Sequence, residues 1–171
     1  IGLLLGVGLP AGLAADKSVV SAIEKSGGLV LPWPGEQDAW EVEFHLRGRD
    51  LEDDGLSAVA ALKTVVALNL RDTKITSDGL KHLKGLSKLK RLHLERTAVD
   101  DAGVSHLTGL ENLEYLNLYG TKITDKALDQ LSGLKNLKQL YVWQTEVTDD
   151  GVTKLNKSLP NLKIVKGVDL S

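Results

Sequence analysis

The chain has 171 residues, 26% of them charged and of both signs, for a formal net charge of −2. That length holds one domain with a continuous core, and a near-neutral balance provides no bulk attraction for nucleic acid or an anionic membrane. The absence of cysteine excludes disulfides, a thiolate nucleophile and cysteine metal sites.

Ile1 to Ala15 carries no charge, and Gly12-Leu13-Ala14 is a small-x-small pattern shortly before Asp16. Residues 1–15 read as the apolar region and cleavage site of a secretory signal peptide, too short and too glycine-rich for a stable membrane span. Residues 16–43 read as a cap. Val19, Val20, Ala22 and Ile23 have helical spacing and stop at Gly27-Gly28. Leu29 to Leu31 then form a short strand, and Pro32-Trp33-Pro34-Gly35 a turn. Trp40, Val42, Phe44 and Leu46 alternate with polar residues. A helix and a hairpin therefore cover the start of the repeated region, with Trp33 and Trp40 as packing residues. Such a cover is needed because an open sheet edge invites aggregation.

Residues 44–171 are periodic. Thr73, Thr97, Thr121 and Thr145 lie 24 residues apart. In phase with them run the pairs Leu68 and Leu70, Leu92 and Leu94, Leu116 and Leu118, and Leu140 and Val142. Alternation in Leu92-His93-Leu94 predicts a short strand with one buried face. From Val104 the apolar spacing becomes three, through Leu107 and Leu110. This predicts a helix of two to three turns that ends at Gly109 in the left-handed conformation. Thr76, Asp100, Thr124 and Thr148 stand where its N-cap belongs. One strand and one short helix cannot bury these leucines alone, so the units stack into an α/β solenoid with parallel strands inside and helices outside. About five units fit, plus a terminal strand near Lys163 to Lys166. The first is degenerate and aligns Phe44 and Leu46 with Leu68 and Leu70, with Arg49 in place of the threonine.

The unit L-x-x-L-x-L-x-x-T-x-I-T-D-x-G-L, whose second half is clearest at Thr148-Asp149-Asp150-Gly151-Val152, resembles the leucine-rich repeat family. The nearer likeness is to its ribonuclease-inhibitor-like and cysteine-containing types, of bacterial secreted kind, with threonine at the position usually held by Asn or Cys. The resemblance implies a right-handed βα superhelix and a binding role. A threonine hydroxyl can bond the turn backbone as Asn or Cys does, so a buried threonine ladder is expected.

Register then sorts the inner face into columns. The first holds Glu43, Ala67, Arg91, Tyr115 and Gln139. The second holds His45, Asn69, His93, Asn117 and Tyr141. The third holds Arg47, Arg71, Glu95, Tyr119 and Trp143. His45 and His93 thus flank Asn69 with no acidic third ligand, so neither a metal nor a cofactor is expected. Asp50 to Gly55 imitates a calcium loop, but Ala61 stands where the bidentate glutamate belongs. Lys81, Lys84, Lys88, Lys90 and Arg91 lack interleaved aromatics and read as a solvated face, not a nucleic-acid site.

Tyr115, Tyr119, Tyr141 and Trp143 fall on two neighbouring strands and point to solvent in this register. Arg71, Arg91, Glu95 and Arg96 form a polar flank. Grouped exposed aromatics mark interfaces. The chain therefore reads as a secreted, periplasmic or cell-envelope monomer that binds a protein, or less favourably a glycan, without catalysis. The rival reading is a structural solenoid that assembles through its edge or its helical face. An enzyme is the weakest reading, because no acid–base set converges.

Overall fold

Three repeats contribute strands so short (Arg91–His93, Tyr115–Asn117 and Gln139–Tyr141) that a single central leucine, between two outward residues, anchors each to the core. The computed structural model describes residues 17–167, so the signal-peptide segment lies outside the described residues. The strands are β1 (Leu29–Pro32), β2 (Trp40–Glu43), β3 (Val65–Asn69), β4 (Arg91–His93), β5 (Tyr115–Asn117), β6 (Gln139–Tyr141) and β7 (Lys163–Val165). They form one sheet in chain order. β1 is antiparallel to β2, and every later pairing is parallel. Leu68, Leu92, Leu116 and Leu140 sit side by side in that sheet and are fully buried.

The outer face carries α1 (Lys17–Lys25), α2 (Leu56–Ala61), α3 (Asp101–Val104), α4 (Asp125–Leu131) and α5 (Asp149–Ser158). α4 and α5 reach the two to three turns that the spacing predicts, but α2 and α3 are shorter. α3 is a single turn continued by a 3-10 turn at Ser105–Leu107, and the unit before it has only the 3-10 segment Gly79–Gly85. A 24-residue unit spends most of its chain on the strand and two turns. What remains suits the tighter helix, which places Leu80 and Leu83 in the core with fewer residues. The glycine expectation also needs correction. Gly109 is not left-handed. That conformation falls instead in the turns after β3, β4, β5 and β6, at Asp72, Arg96, Gly120 and Gln144, with φ of 58°, 56°, 68° and 55°.

The threonine ladder is present. Thr73, Thr97 and Thr121 are buried and donate their hydroxyls to the carbonyls of Leu70, Leu94 and Leu118 at 2.6, 2.8 and 2.7 Å. Thr145 repeats the bond to Val142 at 2.6 Å. Each closes the turn that carries a left-handed residue. Of the expected caps, Asp100, Thr124 and Thr148 accept backbone N–H groups at their helix starts.

The first unit departs from the predicted register. β2 pairs with β3 so that Val42 meets Leu68 and Glu43 meets Asn69. The N–H of Phe44 donates to the carbonyl of Asn69, as that of Leu70 does to His93. Val42 and Phe44 are therefore the core pair, and Leu46 is 65% exposed. Two extra residues sit in the turn after Phe44, which closes through Gly48 N–H to the Phe44 carbonyl. The solenoid begins at β2, and the columns start with Glu41 and Glu43 in place of Glu43 and His45.

Candidate functional site

The site residues come from columns on β4, β5 and β6 and from the turns that follow. Tyr115 pairs with Gln139, and Asn117 with Tyr141, across adjacent strands. Tyr115 and Tyr141 lie diagonally, with ring centroids 5.3 Å apart. One step further, Tyr119 and Trp143 repeat that spacing at 5.3 Å. Each pair is extended by a cation. The Arg91 guanidinium lies 4.8 Å from the Tyr115 centroid, and that of Arg96 lies 5.2 Å from Tyr119. Two parallel rows result: Arg91, Tyr115, Tyr141 and Arg96, Tyr119, Trp143. Both use tilted ring contacts and cation–π contacts, the geometries favoured by ring quadrupoles. Trp143 is 42% exposed and the three tyrosines are half-buried.

Beneath the rows is a polar network. Glu95 Oε1 accepts from Asn117 Nδ2 at 2.8 Å and lies 2.9 Å from His93 Nδ1. Asn117 Nδ2 also reaches the Tyr115 hydroxyl at 3.2 Å, while its Oδ1 accepts the Tyr119 N–H at 3.0 Å. Asn117 thus ties the two rows together. Asn69 makes the same turn bond to Arg71 N–H at 3.1 Å, a local Asx closure that the column sequence could have signalled. Burial holds the Tyr115 hydroxyl above its ordinary pKa, despite the opposing hydrogen bond to Asn117. It remains a neutral hydroxyl that accepts from Asn117 Nδ2.

The sequence-predicted residues are therefore largely brought together, with two differences. Glu95 is not a solvated flank: it is 7% exposed, and its Oε2 is buried without a hydrogen-bond partner among the described residues. Its bonds to His93 and Asn117 hold it against the sheet surface. Among the described residues Arg71 touches no ring. Its Nε lies 3.3 Å from Asp72, whose other oxygen is 3.6 Å from Arg96. The two histidines also separate. His45 lies in the turn, 2.5 Å from Glu43, while His93 stacks on Tyr115 at 4.7 Å. Among the described residues no group of three acidic or histidine side chains is placed to hold a metal. Trp33 was missed as a surface residue. It leaves the cap hairpin to overhang the sheet beside Arg91 and Tyr115.

Comparison with known proteins agrees with this architecture. Residues 87–146 match the leucine-rich repeat family, and residues 61–84 match a second leucine-rich repeat group. Residues 61–84 and 87–146 are thus leucine-rich repeats. Internalin C2 of Listeria monocytogenes is 31% identical over 66% of this chain and 49% of its own, with a TM-score of 0.54. Another internalin of that organism is 24% identical over 67% of this chain and 32% of its own, with a TM-score of 0.55. The leucine-rich repeat ectodomain of a receptor kinase from Arabidopsis thaliana shares the fold. It is 15% identical over 90% of this chain and 92% of its own, with a TM-score of 0.55. The chain thus spans 32% and 49% of the two internalins it resembles. No curated protein matches it by sequence. Leucine-rich repeat proteins generally act as protein-interaction modules and are generally non-enzymatic. Among the described residues no helix is long and apolar enough to cross a membrane.

Proposed function

We propose that this protein is a non-catalytic recognition module that binds a protein partner on its concave sheet. The contact is centred on Tyr115, Tyr119, Tyr141 and Trp143, with Arg91 and Arg96 at its border and Arg71 beyond. The observation that carries this reading is the pair of cation–aromatic rows. They lie outside the leucine core, and the Tyr115 and Tyr119 hydroxyls are already held by Asn117 and Arg96. Little conformational entropy is then lost when a partner covers them. The uncharged run Ile1 to Ala15 supports a location outside the cytoplasm. The stretch Thr148-Asp149-Asp150-Gly151-Val152 supports assignment to the ribonuclease-inhibitor-like and cysteine-containing types, from which threonine at the Asn or Cys position departs.

The test is partner capture from cell envelope and culture medium, with the full chain and a Tyr119→Ala, Trp143→Ala double variant of equal thermal stability as baits. A partner held by the first and lost by the second supports the aromatic site. Equal capture by both moves the interface to an edge or to the helical face. Loss of a glycan, with protein capture unchanged, assigns the patch to carbohydrate.

A further inference from the structure

The concave face has a second feature, at its other end. The cap hairpin bends over the sheet, and Glu36 in its loop is tethered to Lys90 Nζ. Trp33 thereby roofs a hollow of about 300 Å³ whose floor is Glu41, Glu43, Ala67, Asn69, Arg91 and His93. Its charges are unbalanced. Among the described residues Glu41 has no ion pair, and its hydrogen-bonding neighbour is another acid, Glu43. Arg91 is the cation in the hollow, but its guanidinium is engaged with Tyr115. His93 is engaged with Glu95, and His45 with the outer side of Glu43. Two half-buried carboxyls on one strand face, two residues apart, thus sit under an indole, and Arg91 and His93 offset Glu41 only through space, less than burial and Glu43 oppose it. The Glu41 carboxyl is held above its ordinary range by burial first, then by its hydrogen bond with Glu43 and that group's charge. An incoming cation would relieve each of these causes but burial.

We propose that the hollow under Trp33 receives a lysine or arginine side chain of the protein partner, with Glu41 and Glu43 as counter-charges and the indole as cover. This rests on the concave-face reading above and specifies the partner's chemistry. The hollow centres on β3 and the aromatic rows on β5 and β6. With strands ~4.8 Å apart, the separation is roughly 12–14 Å, about four residues of an extended chain crossing the strands. The partner segment therefore carries a basic residue about four positions from an apolar or aromatic one. The first enters the acidic hollow and the second covers Tyr119 and Trp143.

The experiment uses the full chain and displayed peptides of random sequence, followed by titration of one selected peptide. The selected set should be enriched in a basic residue about four positions from an apolar one. Replacing that basic residue with norleucine should weaken binding about tenfold. The same loss should appear with the Glu41→Gln, Glu43→Gln chain, for which the norleucine peptide should lose nothing further. Selected peptides without a basic residue, or equal affinity for the norleucine peptide, would overturn the cation hollow. That comparison needs only the unaltered chain, so it holds even if the double variant misfolds. Selected peptides whose affinity survives Tyr119→Ala, Trp143→Ala but falls with Glu41→Gln, Glu43→Gln would retain the hollow and discard the aromatic centre.

Discussion

Asp125 holds Thr148 by two bonds at once, accepting its backbone N–H at 2.8 Å and its hydroxyl at 2.7 Å across one repeat. Asp53 does the same to Thr76, and Asp101 to Thr124. Ser77 and Asp100 make an equivalent reciprocal pair at 2.6 and 3.0 Å. These clasps fasten each outer turn to the next. They account for the Thr-Asp pattern of the repeat more fully than helix capping alone, because the carboxylate serves the neighbouring unit and the threonine its own helix.

Removing one clasp should loosen the stack locally. Asp125→Ala leaves the Thr148 N–H and hydroxyl to water, a loss of about 1 kcal/mol for hydrogen bonds this exposed. The Thr148 hydroxyl, then its N–H, hold the Asp125 carboxyl below its ordinary range. Asp100 is lowered in the same way, chiefly by Ser77. A folded-state pKa below the unfolded one contributes stability that is present above about pH 4 and lost as pH falls through the folded value. Urea melts at neutral pH and near pH 3 should show a smaller acid loss for Asp125→Asn than for the native chain. An identical acid loss in both would show that the clasp adds no stability.

Glu41 should show the opposite sign. Its raised carboxyl makes ionisation cost stability as pH climbs through and above its ordinary range. Glu41→Gln should therefore melt higher than the native chain at pH 7 and match it at the acid end of the range. A variant less stable at pH 7 would mean that Glu41 is already satisfied within the fold.

Leu94 and Glu95 test the two faces of one turn. Leu94 is fully buried, so Leu94→Ala should cost about 2–5 kcal/mol. Sequence alone places Glu95 in solvent, where Glu95→Ala is nearly neutral. Its burial and its bonds to Asn117 and His93 raise the expected loss to about 1–2 kcal/mol, because both partners lose their acceptor. Glu95→Gln should lose less, since one acceptor oxygen remains. Denaturant unfolding of the three variants checks the order.

Glycines should divide by surroundings. A methyl group at Gly109 meets open space, so Gly109→Ala should be neutral or stabilising by up to about 1 kcal/mol. At Gly151 it would meet Asp125 Oδ1 at 2.1 Å, and Gly79 and Gly103 face Asp53 and Ser77 in the same way. Gly151→Ala should break the clasp and lower the melting temperature. Gln144, exposed at φ 55°, should gain up to about 1 kcal/mol on change to glycine. Thermal melts of the three single variants suffice.

Periodicity by itself determined the solenoid, because a buried leucine at each recurring position has only one way to meet its copies. The threonine ladder followed from the same argument: a buried hydroxyl must find an acceptor, and the carbonyl three residues back is in reach. The gathering of Tyr115, Tyr119, Tyr141 and Trp143 on neighbouring strands was legible for that reason too. Tertiary structure decided what lies outside the repeat. Two extra residues after Phe44 shift the first strand, and such an insertion is invisible where the unit is degenerate. The burial of Glu95 depends on which neighbours lean over it, which a column cannot state. Trp33 reaches the concave face only because the hairpin folds back and Glu36 meets Lys90, a contact across 54 residues that no local pattern encodes.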